Sequence, residues 1–392
     1  AYYMTSFPPA LVLKGSFGLS PKGCQLRNAL IGVQYVASFG LIIGATFMYL
    51  QNYYMQNTPL GYDKDEIIIT NMNNNIRKSR DAFASQVKSF SGIEEVTYAE
   101  MLLSSQDQYM GWGRKYRDKD IQFQCLPVEP SFLKVMNVKI SEGRDFREED
   151  KAKRYGTFVF NERARTEYGL EIGSLIDSME IVGFMPDVKF ASFRTEVTPM
   201  AFFVWGTNNW GNQPNYAYIK VKAGSDLRGA MQHVKTTLQS FDPEYPFNVR
   251  FFDEVLNGLY EKERSLSSLI TLFSLIAIFI SVVGVFGLVV FDSEYRKKEI
   301  GIRKVLGSTT EEIIVMFNKT YIRILCVCFV LGAPIAGYVV HRWLENFAYK
   351  TPMYWWVYLI AFAIIAVITI LTVTFQNWRA ANENPVHSIK NE

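Results

Sequence analysis

The chain has 392 residues, of which 49% are hydrophobic and 20% are charged. This balance fits neither a purely soluble nor a purely membrane-embedded protein, and the length allows more than one domain. The net charge of +3 gives no reason to expect a nucleic acid as partner. The 4 cysteines and 3 histidines are scattered, so they predict neither a disulfide framework nor a metal site.

The first part of the chain is basic and then apolar. Residues 1–27 contain lysine, arginine and proline but no acidic residue, which predicts a cytoplasmic lead-in close to lipid headgroups. Residues 28–50 are apolar and predict transmembrane helix 1. Small residues at Gly32, Gly40 and Gly44 favour close helix packing, and Gln34 is expected to hydrogen-bond a neighbouring helix.

Residues 51–265 form a long polar insertion with two strand–helix–strand patterns. One pattern comprises strands at 66–70 and 93–99 around a helix at 76–90. The other comprises strands at 216–221 and 247–252 around a helix from the N-cap Asp226 to residue 240. Together they predict a split ferredoxin-like subdomain over 60–103 and 213–253. Residues 104–212 are expected to form an inserted subdomain, with short strands at 157–160 and 179–184.

Three further apolar segments follow. Residues 254–265 are polar and free of proline, so we expect one continuous helix that runs on into transmembrane helix 2 at 266–291. Transmembrane helix 3 is predicted at 318–342, with a kink near Pro334, and helix 4 at 354–376. Aromatic residues at 354–358 predict an interfacial belt, and residues 377–392 a cytoplasmic tail.

The loop at 292–317 contains a cluster of basic residues at 296–298 and 303–304, which places it in the cytoplasm by the positive-inside rule. Ile302, Val305 and Leu306 have helical spacing, so we predict a short amphipathic helix under the membrane. Gly307 is a predicted C-terminal cap, and Ser308 with Glu311 a predicted capping box of the next helix. The fold class expected is an α-helical membrane protein with four transmembrane helices and a large α+β extracytoplasmic domain inserted between helices 1 and 2.

Several segments resemble one family. YRKKEIGIRKVLGS at 295–308 closely resembles the intracellular loop of FtsX/MacB-type ABC transporter permeases. Segments at 130–138, 142–146, 160–164 and 181–188 resemble successive landmarks of the MacB-type periplasmic core domain. Residues 6–17 resemble the segment that follows the first half of duplicated permeases, so the chain is expected to be the C-terminal half of a longer protein.

The resemblance implies a non-catalytic permease subunit or half-subunit that transmits motion to a periplasmic domain, for export of a peptide, lipoprotein or drug-like substrate. It implies no cofactor on this chain, with ATP hydrolysed on an ABC ATP-binding subunit. Other expected partners are a second permease half or protomer, a periplasmic adaptor or outer-membrane factor, and lipids of the cell inner membrane. The residues expected to contact the ATP-binding subunit are Arg296, Lys298, Glu299, Ile302, Arg303, Lys304 and Leu306.

Other interpretations remain open from the sequence. A protein of this family can instead act as a signalling partner that senses a ligand or activates an extracytoplasmic protein without transport. The basic loop alone is also compatible with a hairpin that only neutralises lipid headgroups. Ser131 and Lys134 match SxxK, but the companion motifs of such hydrolases are absent, so Ser131 is better explained as a helix cap. Trp112, Trp205 and Trp210 fit a binding surface, a core or a membrane-facing tip.

Overall fold

The computed structural model describes residues 21–106, 108–208, 213–295, 302–303 and 306–381. The chain divides into two compact units. The helical unit comprises the described parts of residues 1–54, 263–346 and 350–392, and the α+β unit comprises those of 55–262 and 347–349.

The helices are α1 Pro21–Asn57, α2 Asn74–Lys78, α3 Arg80–Lys88, α4 Phe132–Val135, α5 Glu162–Tyr168, α6 Leu227–Phe241, α7 Phe252–Leu259, α8 Glu261–Tyr295, α9 Thr310–Leu344 and α10 Trp355–Ala381. The strands are β1 Ile67–Asn71, β2 Ile93–Ala99, β3 Gly111–Tyr116, β4 Lys119–Pro127, β5 Glu142–Gly143, β6 Thr157–Asn161, β7 Leu175–Ile176, β8 Met179–Met185, β9 Met200–Val204, β10 Tyr216–Val221 and β11 Arg250–Phe251.

The helical unit contains the membrane-spanning segments. In the described part of the chain, four helices are long and apolar enough to cross a bilayer, with candidate spans at Ala29–Asn57, Glu263–Gly287, Thr310–Leu344 and Trp355–Trp378. The α+β unit lies between the first and the second of them along the chain. The predicted fold class is therefore confirmed, although α1 continues seven residues beyond residue 50 and α9 begins at Thr310 instead of 318. α9 continues through Pro334, where a kink stays a prediction.

Hydroxyl and amide groups join the helices of this unit. Tyr35 Oη lies 3.1 Å from Thr369 Oγ1, and Ser38 Oγ lies 2.8 Å from Ser281 Oγ. The Ser274 hydroxyl donates a hydrogen bond to the Leu41 carbonyl over 3.0 Å. Because hydrocarbon offers no competing water, such bonds fix the relative rotation of the helices they join.

Only one of the three glycines expected to allow close packing does so: an added Cβ at Gly32 would lie 3.6 Å from Cys328 Sγ on α9. An added Cβ at Gly40 or Gly44 would meet open space, whereas one at Gly332 would lie 3.4 Å from Val36 Cα. One at Gly284 would lie 2.5 Å from Gln34 Oε1, so Gln34 of α1 contacts α8. The Gly40-x-x-x-Gly44 spacing therefore does not mark a helix contact within the described chain.

In the α+β unit, a four-stranded antiparallel sheet has the order β11-β1-β10-β2. This is the strand order of a ferredoxin-like fold, and its two outer strands come from the two separated parts of the chain. Ile68 pairs with Ile219 across β1 and β10, and α3 and α6 contribute Phe83 and Val234 to the same buried cluster. Asp226 caps α6 as predicted, because its carboxylate accepts from the Gly229 amide over 3.0 Å.

Three sequence expectations for this unit were wrong. The helix predicted at 76–90 divides into α2 and α3 at Ser79, whose φ of −116° and ψ of 32° are not helical. The strand predicted to residue 252 ends at Phe251, because Phe252, Val255 and Leu256 bury one face of α7 at helical spacing. The helix predicted to be continuous breaks at Tyr260, where φ is −113° and ψ is 13°.

A second, seven-stranded sheet has the path β3-β4-β9-β6-β8-β5, with β7 paired to β8. The β4–β9 and β6–β8 pairs are parallel, and the others are antiparallel. Its core is aromatic: the rings of Phe158 and Phe203 lie 4.8 Å apart, and those of Phe123 and Phe160 lie 4.9 Å apart. The two sheets are joined by a β-bridge between Ala99 and Val128.

Candidate functional site: the basic loop and the 347–349 segment

The basic loop connects α8 to α9, and the structure describes part of it. Arg296, Lys298, Glu299 and Lys304 lie outside the described residues. Ile302 and Leu306 are 57% and 79% exposed, and Arg303 is exposed beside them. A loop that presents apolar and cationic side chains to its surroundings can bind another surface, either lipid or protein.

The loop is closed by a helix-terminating motif. The Leu306 amide donates to the Ile302 carbonyl over 3.0 Å, and the Ser308 amide donates to the Arg303 carbonyl over 2.9 Å. Gly307 lies between them with a φ of +93°, which an L side chain rarely adopts. This is the Schellman arrangement, so the predicted C-terminal role of Gly307 is confirmed.

The capping box of α9 lies one residue later than predicted. The Thr309 hydroxyl accepts from the Glu312 amide over 3.2 Å, and the Glu312 carboxylate accepts from the Thr309 amide over 3.1 Å. Ser308 cannot cap α9 in this way because its amide already closes the preceding turn. The two motifs leave no flexible spacer between Gly307 and α9, so the loop and α9 are held together.

The segment at 347–349, between α9 and α10, belongs to the α+β unit. The Tyr349 amide donates to the Phe193 carbonyl over 3.1 Å, and the Tyr349 hydroxyl accepts from the Val197 amide over 3.3 Å. The Lys189 ammonium lies 4.5 Å from the centre of the Tyr349 ring, and burial lowers the pKa of Lys189. The Arg194 guanidinium lies 5.7 Å from the centre of the Phe347 ring.

Sequence reasoning missed this segment. Residues 341–353 are a short connector between two apolar helices, and nothing in their pattern predicts a partner. The available signal is weak: Phe347 and Tyr349 are aromatic, but the connector also contains Trp343. Tyr349 also lines a small cleft of about 60 Å³ together with residues 188–193 and 195–198.

Residues of the α+β unit that the sequence suggests for catalysis or binding, and its buried cysteine, show no reactive arrangement in the described chain. Ser131 precedes α4, but its hydroxyl bonds Thr97 Oγ1 over 2.9 Å instead of capping the helix. Trp112 packs in the aromatic core, with its ring 5.3 Å from that of Phe203, and Trp210 lies outside the described residues. Burial raises the pKa of the Cys125 thiol, which disfavours the reactive thiolate. Among the described residues, no group of His, Cys, Asp and Glu is placed to hold a metal ion.

Two family models match the chain. The model described as MacB-like periplasmic core domain matches residues 31–237. The model described as FtsX-like permease C-terminal matches residues 271–385, which include the basic loop, α9 and all of α10. The two matches together cover the α+β unit up to α6 and the last three membrane-spanning helices.

Curated relatives match over a similar region. The macrolide export ATP-binding/permease protein MacB of Escherichia coli K12 is 23% identical over 233 residues, which are 56% of this chain and 35% of that protein. The protein of the same description from Chromobacterium violaceum is 23% identical over 230 residues, with the same shares. The chain therefore spans about a third of the length of the curated relatives it matches.

Solved structures of outer domains are also similar. The periplasmic region of MacB from Actinobacillus actinomycetemcomitans superposes with a TM-score of 0.36 and 14% identity, over 50% of this chain and 92% of that chain. A domain of a permease protein from Porphyromonas gingivalis superposes with a TM-score of 0.33 and 17% identity, over 50% and 93% of the two chains.

Proposed function

Because the chain belongs to the FtsX/MacB-type ABC transporter permeases, inner-membrane proteins with a periplasmic α+β unit, we propose that it couples ATP hydrolysis on a partner subunit to movement of that unit. ATP is bound and hydrolysed by a separate ABC ATP-binding subunit, and this chain carries the motion. The proposed contacts to that subunit are Arg296, Lys298, Glu299, Ile302, Arg303, Lys304 and Leu306.

The exposure of Leu306 and Ile302 is the observation that carries this proposal. Burying a leucine side chain against a partner is worth about 1.5–3 kcal/mol relative to leaving it exposed, and Leu306 is 79% exposed. The pair lies on a turn that continues directly into the capped start of α9. A displacement of the docked turn would therefore move α9, not a flexible linker.

The membrane spans support a role in carrying force. Between their ends, the described spans hold few ionisable groups, and Lys319 and Arg323 lie near the cytoplasmic end of α9. Ion-coupled transporters need acidic residues or histidines at mid-membrane depth to bind the coupling ion. The interhelical hydrogen bonds of Tyr35, Ser38 and Ser274 instead favour helices that move as one body.

We propose that the transporter exports its substrate, and that this substrate is a peptide, a lipoprotein or a drug-like molecule. The two MacB relatives are described as macrolide export proteins, which supports export as the activity. A second permease half or protomer would complete the membrane assembly. A periplasmic adaptor or outer-membrane factor would receive the cargo on the other side.

The test measures ATPase activity of the ATP-binding subunit reconstituted with the full-length permease in nanodiscs. We expect Arg303→Glu and Leu306→Asp to reduce permease-dependent ATPase activity at least ten-fold, because each removes a docking contact. Arg303→Lys and Leu306→Met are matched controls that keep the charge and the apolar surface, and they should retain most of the activity.

The same preparation also gives the outcome that would contradict the proposal. If Arg303→Glu and Leu306→Asp bind the ATP-binding subunit and stimulate it as the unchanged permease does, the loop does not couple the two proteins. Release of the subunit by these two variants, with the controls still bound, would support the docking role directly.

A further inference from the structure

A second cleft in the α+β unit lies where the two sheets meet. Its volume is about 400 Å³, and it is lined by the ends of β2 and β4 on either side of the Ala99–Val128 bridge. Ligand pockets for small molecules are typically about 300–1,000 Å³. The cleft is therefore large enough for an organic molecule, and residues from both sheets reach it.

The walls of this cleft carry more positive than negative charge. Four basic residues line it against the two carboxylates Glu100 and Glu129, which leaves an excess of two positive charges; the basic residues are Arg77, Lys78, Arg80 and Lys151. Clefts with one dominant sign of charge concentrate ligands of the opposite sign.

Glu129 compensates two of these cations at once. Arg80 Nη1 lies 2.6 Å from Glu129 Oε1, and Lys151 pairs with the other carboxylate oxygen. Lys151 is also 3.1 Å from Glu148. Burial alone would lower the pKa of Lys151, but its hydrogen bonds to Glu129 and Glu148 outweigh that effect and raise it, so the ammonium stays charged.

The remaining charges of the cleft are less compensated. Arg77 is held in place by the Pro214 carbonyl at 3.1 Å and by Asn215 Oδ1 at 2.5 Å, which are neutral partners. Lys78 is exposed at the end of α2. Burial raises the pKa of Glu100, and the neighbouring Trp205 only partly opposes the rise, so the surroundings disfavour its negative charge.

Aromatic rings form part of the same wall. Trp205 is half-buried in the cleft, and its ring lies 4.6 Å from that of Phe203 and 5.9 Å from that of Trp112. These contacts fix the plane of the indole before any ligand arrives. A preformed ring surface beside fixed cations lowers the entropy cost of binding a planar or apolar anion.

We propose that this cleft binds a small organic anion, in which a carboxylate, sulfonate or phosphate group faces Arg77, Lys78 and Arg80 and an apolar or aromatic body lies against Trp205. The site belongs to the outer unit alone. It is independent of the proposed coupling role, because neither ATP nor the basic loop takes part in it.

The experiment is isothermal titration of naphthalene-2-sulfonate into the full chain in nanodiscs at low ionic strength, with empty nanodiscs as blank. We expect one saturable site per chain. Lys78→Glu should weaken binding about ten-fold, because it replaces a positive charge at the cleft by a negative one. Glu100→Gln should strengthen binding several-fold, because it removes a negative charge. Lys235→Glu is the matched control, since this exposed lysine on α6 does not line the cleft.

Three results would overturn the proposal. One is the absence of saturable binding above the empty-nanodisc blank. Another is an equal loss of affinity in Lys78→Glu and Lys235→Glu, which would mean that the anion is attracted by the net charge of the protein and not by the cleft. The third is unchanged binding in both Lys78→Glu and Glu100→Gln. Inorganic sulfate should compete only weakly, because it lacks the body that contacts Trp205.

Discussion

At the scale of single residues, the Arg144–Asp150 pair stabilises the seven-stranded sheet region. The Asp150 side chain is 1% exposed, and its two oxygens accept from Arg144 Nη1 and Nη2 over 2.8 and 2.7 Å. The Arg147 amide donates to it over 2.8 Å, and Lys153 lies 3.2 Å away. Burial alone would raise the pKa of Asp150, but these donors outweigh burial and lower it. Arg144 lies in the 142–146 segment that resembles the family, and this pair is its physical role.

Asp150→Asn should lower the free energy of unfolding of the α+β unit by about 2–3 kcal/mol, because the variant keeps the shape but loses charge-assisted hydrogen bonds to Arg144. Thermal unfolding of the full chain, followed by tryptophan fluorescence at pH 7, measures the change. Glu171→Gln is the control, since the Arg117–Glu171 pair is exposed and should matter little. Equal melting temperatures for Asp150→Asn and the unchanged protein would contradict the prediction.

The pH dependence of this pair has a definite sign. A carboxyl whose folded-state pKa is lowered contributes stability above its unfolded pKa of about 3.9, and that stability is lost as the pH falls through the lower folded value. The melting temperatures of the unchanged protein and of Asp150→Asn should therefore differ at pH 7, and the difference should begin to shrink as the pH falls below about 4. A gap that persists at low pH would mean that Asp150 acts through shape and not through charge.

At the scale of secondary-structure elements, the sequence predicted those strand bounds and helix caps that neighbouring residues determine. The strands at 93–99 and 216–221 were predicted with the bounds that the structure has, because alternating or continuous apolar residues end at clear breaks. The Asp226 cap was predicted because one carboxylate and one amide decide it. The end of the helix at Leu259 could not be predicted, because Tyr260 makes a distant contact: its hydroxyl accepts from the Phe193 amide over 3.0 Å.

The candidate site was also only partly predictable, because some of its features depend on contacts that are distant in sequence. Gly307 was identified from sequence, since a glycine after helical spacing commonly ends a helix. The capping box was predicted one residue early, because both Ser308 with Glu311 and Thr309 with Glu312 fit the pattern. Which pair forms depends on where the Schellman turn ends, and that is a property of the preceding helix. The role of Tyr349 depends on contacts more than 150 residues away, which no local pattern encodes.

Helix packing in the membrane gives a prediction at this scale. Gly332→Leu should separate α1 from α9, because even a Cβ there would lie 3.4 Å from Val36 Cα and a leucine needs more room. Overpacking typically costs about 1–3 kcal/mol, so the midpoint of thermal unfolding of the full chain in detergent should fall. Gly40→Leu is the matched control on α1, since an added Cβ there meets open space. Equal midpoints for the two variants would show that α1 and α9 do not pack closely at Gly332.

At the scale of the whole molecule, the course of the chain connects the two units more often than a simple insertion requires. An insertion between α1 and α8 needs two crossings, which occur at residues 54–55 and 262–263. The chain crosses again on either side of 347–349, because this segment belongs to the α+β unit while α9 and α10 belong to the helical unit. Within the α+β unit, residues 347–349 are held by non-covalent contacts to a part of the chain that is distant in sequence, and these contacts can be weakened without cutting the chain.

Tyr349→Ala tests how strongly the Tyr349 side chain stabilises the contacts between residues 347–349 and residues 193–198. The variant keeps the amide that bonds the Phe193 carbonyl but loses the hydroxyl that accepts from the Val197 amide and the ring that the Lys189 ammonium faces. A lost hydrogen bond of this kind is worth about 0.5–1.5 kcal/mol, so amide exchange at 193–198 should be roughly two- to ten-fold faster. Hydrogen exchange of the full chain in nanodiscs measures this exchange rate. Met353→Ala, in the same connector, is the control and should leave 193–198 unchanged. If Tyr349→Ala also leaves exchange there unchanged, the Tyr349 side chain does not stabilise residues 193–198, and the prediction is wrong.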